Sequence, residues 1–293
     1  MRVAFLGNHT VGVTALQALR DVADVVAVVA HPVDPEDGVR YASVYAYAEA
    51  QGLSVKRGRA TDPGIDAFLR AATPDLLWVT DYRYLLPAAL LALPRYGAIN
   101  LHPSLLPAYR GRAPLNWAIL RGEREVGLTA HMIDAGMDSG DIVAQHRLAV
   151  AADDDVGTVL ARLMPLYDQL PRELIGQLER GTISRRPQAH ALATTFPRRT
   201  PDDGRIDWAE SSETVHNLVR AVAAPYPGAF ITRAGAHVTV WRTRPVETTD
   251  AAAPGAVIAL RDGRPVVACG DGAVVLLATD GEVGAWHVGE QLT

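Results

Sequence analysis

The stretch MRVAFLGNHTVGVTALQALRDVADVVAVVAHP (residues 1–32) decides the fold. Residues 2–7 form an apolar run ending in Gly, a helical stretch continues to about Arg20, and VVAVVAHP is a second apolar run. Both runs are near-continuous in Val and Ala and do not alternate with polar residues, the pattern of strands covered on both faces. Strand, helix, strand in this order predicts a doubly wound, mostly parallel, Rossmann-like sheet. Working outward, residues 41–51 (YASVYAYAEAQ) read as a helix, DLLWVT (75–80) as a strand, and GAINLH (97–102) as another. Ligands of such sheets collect beyond the carboxyl ends of the strands, which directs attention to the end of GAINLH.

The first strand ends in GNHTVG (7–12), which lacks the GxGxxG spacing that lets a backbone approach a pyrophosphate, so a dinucleotide site is disfavoured. Gly7 and Gly12 either admit a ligand to the turn or let strand and helix pack tightly. Farther on, Val159, Leu160, Leu163, Leu166, Leu170 and Leu174 recur with helical spacing, with Pro165 and Pro171 expected to kink or split the helix. After about residue 203 the pattern changes to a short helix near ETVHNLVRAV and short segments (AFITRAG, HVTVWRT, GAVIALRD, RPVVACGDG, AVVLLAT) punctuated by Gly, Asp and Pro. This predicts a smaller β-rich, OB-like barrel domain. The expected division is a catalytic domain over 1–187, a linker over 188–203 and the β-rich domain over 204–293.

Composition excludes several classes. At 293 residues with 48% hydrophobic content the chain suits two globular domains, and no apolar run reaches the roughly 18 residues of a membrane span. MRVAFLG enters strand pattern directly, without a charged leader, so a cytoplasmic location is expected. A net charge of −5 argues against a nucleic-acid partner. Cys269 is the single cysteine, which excludes an intramolecular disulfide and a cysteine-rich zinc site. Lys56 is the single lysine and sits in a polar KRGR stretch, which disfavours Schiff-base chemistry.

The chemistry concentrates in NLHPSLLPAYRGRAPLNWAILRGEREVGLTAHMIDAGMDSGD (100–141). Asn100 and His102 are two apart, so a strand end projects both to one face. Attack of an amine on an acyl carbon needs a donor for the developing oxyanion and a group that takes the proton shed by the nucleophile. Asn100 and His102 supply these two functions. Asp138, in the turn MIDAGMDSG, is expected to orient His102 and raise its pKa. Asp138 alone reads equally well as a turn residue. His131, in TAHMID, is read as strand interior. A metal set of His102, His131, Asp138 and Asp141 matches no ligand spacing such as HExxH, and no metal is expected. Serine hydrolysis through Ser104 or Ser139 lacks the G-x-S-x-G elbow.

Through Asn100, His102, Asp138, the SLLPAYRG loop (104–111), RRTPDDGRIDW (198–208) and VRAVAAPYPGAF (219–230), the chain resembles the folate-dependent formyltransferases over nearly its whole length. That group contains methionyl-tRNA formyltransferase and the sugar N-formyltransferases. YRGRAPLNW, GRIDW and the Pro-Tyr-Pro-Gly segment are most similar to the formyltransferase domain acting on UDP-4-amino-4-deoxy-L-arabinose. The resemblance implies formyl transfer from N10-formyltetrahydrofolate to a primary amine, with Asn100 stabilising the oxyanion, His102 assisting proton transfer and Asp138 tuning His102. It implies folate contacts from Tyr84, Leu85 and Leu86 and from Arg112, Asp134, Ala135, Gly136 and Met137. The bland alternatives are core filling for the two leucines and a solvated loop for Arg112. His9, Ser104, Arg198 and Arg199 are candidate acceptor contacts, the two arginines and His9 for a diphosphate. A solvated linker pair is the competing reading of Arg198 and Arg199.

The implied acceptor is a small-molecule amine, a nucleotide-linked amino sugar, with a homodimer compatible. Hydroxyornithine-type amino-acid N-formyltransferases of siderophore assembly are nearly as similar, through VVAHP and RIDW. The tRNA enzymes carry a basic insertion where this chain has HPVDPEDGVRYAS, and Asp34, Glu36 and Asp37 have the wrong sign for a phosphate backbone. A folate-binding regulatory protein without turnover is the non-enzymatic alternative, and the intact Asn100, His102 and Asp138 argue against it.

Overall fold

The computed structural model describes residues 1–32, 41–248, 252–281 and 284–293; Asp34, Glu36 and Asp37 lie outside them. The described chain divides into two compact units. The first comprises Met1–Gly111, Gly127–Leu148 and Arg162–Thr195; the second comprises Arg112–Val126, Ala149–Ala161 and Phe196–Thr293.

The first unit contains a seven-stranded sheet in the order β3-β2-β1-β4-β5-β7-β8. Its strands are β1 (Arg2–Gly7), β2 (Asp24–Ala30), β3 (Val55–Arg57), β4 (Leu76–Thr80), β5 (Ala98–His102), β7 (Glu125–Met132) and β8 (Ile142–Ala149). The two-residue strands β6 (Arg110–Gly111) and β9 (Thr195–Phe196) stand apart from this sheet. β1 pairs in parallel with β2 and β4, β2 with β3, and β4 with β5, whereas β7 runs antiparallel to β5. The expected mostly parallel sheet is therefore present, and its strand order reverses at β1. Among the described residues the α-helices are α1 (His9–Val22), α2 (Val44–Ala50), α3 (Pro63–Ala71), α4 (Ala88–Leu91), α5 (Pro114–Leu120), α6 (Val156–Arg180) and α7 (Ser212–Ala221), of which α5 and α7 belong to the second unit. Leu6, Val29, Leu69, Leu77, Val79 and Leu90 belong to one buried cluster, and the intervening Val3, Phe5, Val28, Leu76 and Trp78 are buried as well, so both faces are covered and the strand sequences do not alternate.

Gly7 is explained by packing. A Cβ there would come within 2.6 Å of the Phe5 ring and 2.7 Å of the Thr80 carbonyl oxygen. The expected split does not occur: α6 continues for 25 residues through Pro165 and Pro171. Val159, Leu163, Tyr167, Leu170 and Leu174 are buried along one stripe, and this burial outweighs the backbone bonds that proline removes. Among the described residues, no helix is long and apolar enough to cross a membrane.

The second unit contains a five-stranded antiparallel sheet ordered β10-β11-β14-β13-β12. These are β10 (Ala229–Arg233), β11 (Ala236–Val246), β12 (Val257–Arg261), β13 (Arg264–Ala268) and β14 (Ala273–Asp280). The expected smaller β-rich domain is present as this five-stranded antiparallel sheet, whose edge strands β10 and β12 do not pair with each other among the described residues. Ile206 and Trp208 of GRIDW and Val215 and Val219 of α7 share its buried core, so much of the GRIDW signal is packing.

Candidate active site

The site is built by one strand end, its antiparallel neighbour and two loops, all in the first unit. Within β5, Asn100 and His102 project to the same face as alternation requires. The β5–β7 register sets Asn100 opposite His131. Asn100 Nδ2 lies 3.1 Å from His131 Nε2, and His131 Nδ1 lies 2.8 Å from the Met132 carbonyl oxygen. Because a carbonyl only accepts, the proton of neutral His131 sits on Nδ1, and Nε2 accepts from the Asn100 amide. His131 is fully buried and so fixes which end of the Asn100 amide faces it.

His102 is anchored in the same way. Its Nε2–H donates to the Tyr109 carbonyl oxygen at 2.8 Å, which leaves Nδ1 as the basic nitrogen. Nδ1 faces Asp138 Oδ2 at 3.7 Å, while Asp138 Oδ1 stands 3.5 Å from His131 Nε2. Gly111 N–H donates to Asp138 Oδ2 at 2.9 Å. Burial works against the Asp138 charge, but the facing imidazoles of His102 and His131 and the Gly111 N–H outweigh it, and the carboxyl is held well below the usual carboxylate range. Burial also pushes His102 below the usual imidazole value, more than Asp138 and the Tyr109 carbonyl raise it. The expected upward pull of Asp138 is thus present but smaller than the cost of charging a buried ring. The cluster is an amide donor, a neutral buried base and a fixed carboxylate around one strand end.

The loops that carry these groups are pinned by their own polar atoms. Thr129 Oγ1–H donates to the Ser104 carbonyl oxygen at 2.6 Å and accepts from Gln145 Nε2 at 2.9 Å; Gln145 also donates to the Leu106 carbonyl oxygen. Ser104 is buried and its hydroxyl donates to the Ala108 carbonyl oxygen at 2.9 Å. In the second loop Asp134 Oδ1 accepts from Gly136 N–H and from the Ser139 hydroxyl, an Asx turn that shapes residues 134–139. A Cβ on Gly140 would meet the Met132 carbonyl oxygen at 2.0 Å, so no other residue fits there without moving backbone.

Models of two families match the chain: the formyl transferase model over residues 1–170 and the formyl transferase C-terminal domain model over residues 198–282. The chain belongs to the formyl transferase family. Similar solved structures include an N-formyltransferase from Helicobacter canadensis in complex with folinic acid and dTDP-3-aminofucose, 17% identical, covering 94% of this chain and 98% of that one, TM-score 0.71. WlaRD, a sugar 3N-formyltransferase in the presence of dTDP and 5-N-formyl-THF, is 16% identical over 97% of this chain and 99% of its own, TM-score 0.73. HypX from Aquifex aeolicus, in complex with tetrahydrofolic acid, is 22% identical over 95% of this chain and 44% of its own, TM-score 0.63. At these identities the likeness to solved structures is one of fold.

The remaining expected contacts of this formyltransferase sort by position. Leu86 packs with Tyr82 and Ile133 against the sheet core, whereas Leu85 and Met137 are large apolar side chains left exposed. Tyr84 is half-buried, 5.2 Å from the His31 ring, with Arg59 over its face. Ala135 and Gly136 are exposed on the same loop as Met137. His9 lies at the end of β1, with Nδ1 2.8 Å from Asp81 Oδ2, Nε2 3.1 Å from Arg83 Nη2, and its ring stacked on Tyr41. Arg112, Arg198 and Arg199 fall in the second unit. Arg112 N–H donates to the Phe196 carbonyl oxygen. The Arg199 guanidinium lies over the Trp117 ring at 4.8 Å and donates to the Asp203 carbonyl oxygen, while Arg198 is exposed. The placement of Ser104 and Arg199 suits holding the protein's own backbone. Among the described residues, no three His, Cys, Asp or Glu side chains are arranged to hold a metal ion.

His131 is the site residue that the sequence reading passed over. It is strand interior, as expected, and it also touches both Asn100 and Asp138. Strand alternation alone gave no signal for this, because its partner is fixed by the pairing of β5 with β7.

Proposed function

We propose that this formyltransferase moves a formyl group from N10-formyltetrahydrofolate to the primary amine of a nucleotide-linked amino sugar. The observation that carries the reading is the buried convergence of Asn100, His102 and Asp138 at the end of β5. Exposed Leu85 and Met137, on the two loops expected to meet the folate, offer apolar surface to a flat heteroaromatic ring and support the donor assignment. The donor, when bound, supplies a formyl carbon whose bond to N10 breaks as the new amide bond forms.

The residues then act as follows. Asn100 keeps one Nδ2–H on His131 and directs the other at the formyl oxygen, where negative charge grows. His102 Nδ1 takes the proton that the acceptor amine sheds and returns one to the departing nitrogen. Its Nε2–H stays on Tyr109, so the ring does not turn during the transfer. Asp138 stabilises the imidazolium that forms and has no other proton to manage, because it is ionised throughout. Burial keeps His102 neutral and ready to accept.

The acceptor class is supported by the shared architecture over nearly the whole length of two sugar N-formyltransferases, and by a net charge of −5, which disfavours a polyanion such as tRNA. His9, Ser104, Arg198 and Arg199 are the acceptor contacts to test, His9 first because it stands at a strand end where the sheet order reverses. The test is an acceptor panel with N10-formyltetrahydrofolate, containing nucleotide-linked amino sugars and hydroxyornithine and scored by mass gain of one formyl unit. Thermal unfolding with dTDP or UDP runs alongside, since a ligand at 100 times its Kd stabilises by about 2.7 kcal/mol. Formylation of a nucleotide sugar with a shift from its nucleotide is expected. Formylation of hydroxyornithine with no shift from either nucleotide would overturn the acceptor class.

A further inference from the structure

The segment that leaves α6 carries Arg186, Pro187 and Gln188 in a polar, aperiodic stretch, RRPQAH. Arg186 and Ile142 exchange backbone hydrogen bonds of 2.8 and 2.9 Å, which sews this segment to the start of β8 two residues before Gln188. Gln188 is buried. Its Nε2 donates to the carbonyl oxygens of Asp138 at 2.8 Å and of Gly140 at 2.7 Å, on either side of Ser139. Its Oε1 accepts from Arg110 Nη2 at 2.6 Å and Nε at 3.2 Å. Arg110 Nη2 also lies 3.0 Å from His190 Nδ1. A guanidinium can only donate, so Arg110 fixes the amide with its oxygen outward and its nitrogen on the loop.

The loop so held needs holding. Asp138 sits at φ +49°, a left-handed backbone that a residue with a side chain keeps only when its surroundings over-determine it. Arg110 precedes Gly111, whose N–H binds the Asp138 carboxylate, so one short segment grips Asp138 by its side chain and, through Gln188, by its backbone. On the formyl-transfer reading above, we propose that Gln188 is a positioning residue, its amide oriented by Arg110 and holding the Asp138 backbone so that the carboxylate stands between His102 and His131.

The test uses the full chain as parent, Asp138→Asn, Gln188→Met and the double variant. Two readouts are taken: steady-state formyl transfer, and the titration midpoint of the His102 imidazole by NMR. The ionisable side chains acting on His102 are Asp138, which raises its pKa, and His131, which lowers it, so a displaced carboxylate lowers the midpoint. Gln188→Met removes both donors at similar length without adding charge. The expected result is a kcat loss of about tenfold to a hundredfold with both KM values nearly unchanged, the scale of a sub-ångström to 1 Å misplacement. The His102 midpoint moves down as in Asp138→Asn, and adding Gln188→Met to Asp138→Asn changes neither readout further. A parent-like midpoint in Gln188→Met, or losses that add in the double variant, overturns the proposal and leaves Gln188 a structural residue. If the parent itself transfers no formyl group to any acceptor in the panel, the formyl-transfer reading falls, and the His102 midpoint in Gln188→Met still decides whether the amide positions the carboxylate. Gln188→Asn, which keeps the amide one methylene shorter, takes the same two readouts should the methionine variant not fold.

Discussion

Two histidine–carboxylate pairs stand at strand ends of the same sheet, His9 with Asp81 beyond β1 and β4, and His102 with Asp138 beyond β5. By distance the first is the better ion pair, 2.8 Å against 3.7 Å. Its side chains are 17% and 35% exposed, however, whereas those of His102 and Asp138 are 6% and 16% exposed. The first pair is thus the more exposed of the two, although Asp81 Oδ2 itself is buried. In the second, burial opposes charge on both partners: it lowers the His102 pKa, while the Asp138 carboxyl, bonded by the Gly111 N–H, is held below the usual carboxylate range in spite of it. On the proposed mechanism, the shorter contact belongs to the pair that moves no proton. Chemistry on that mechanism follows the carboxylate that is buried and held from several sides; a left-handed backbone does not separate the pairs, because Asp81 at φ +55° shares it with Asp138 at φ +49°.

The comparison is broken or sharpened by removing one charge from each pair. Asp138→Asn is expected to lower kcat by roughly 10²–10⁴, the range of a lost acid–base contribution. Asp81→Asn is expected to leave kcat within about fivefold, the scale of a weak ion pair remote from the proton transfer, with any larger change confined to the acceptor KM. Equal losses in steady-state assays would erase the distinction. Next in size, Asn100→Ala is expected to reduce kcat by about 10²–10³, as for a lost oxyanion donor, with folate affinity measured by fluorescence nearly unchanged.

The smaller effects test the surroundings of the buried pair. His131→Phe keeps the ring volume but cannot accept from Asn100, and a kcat loss of roughly tenfold to a hundredfold is expected from a freed amide. A parent-like kcat would return His131 to the ordinary strand-interior role. Last is the pH profile of kcat/KM. The neutral base is the active form, so the rate rises with pH through the His102 pKa, which burial sets below the usual value of about 6.5. Asp138 raises that pKa, so in Asp138→Asn the acid limb moves to lower pH while the plateau falls. A limb that stays in place would remove the electrostatic role of Asp138.

The sequence carried the local part of this picture. Val- and Ala-rich runs gave the parallel sheet, the spacing of Asn100 and His102 gave their common face, and the turn residues around Asp138 gave a rigid loop. What stayed illegible was non-local. The role of His131 depends on register between β5 and β7. Gln188 sits in a stretch with no periodicity, and its importance lies in which two carbonyls come within reach. The continuous α6 shows the opposite case, a helix carried past Pro165 and Pro171 with a buried stripe along its length, where the local rule alone allowed a split.

The most direct test of the central claim is single-turnover formyl transfer by His102→Ala from N10-formyltetrahydrofolate to the acceptor found in the panel, with tetrahydrofolate affinity measured on the same preparation. The expected result is transfer slowed by at least about 10² with folate affinity within a few-fold of the parent. Transfer at the parent rate with folate bound would contradict it, and formyl transfer would then have to be driven by a group other than the buried imidazole at the end of β5.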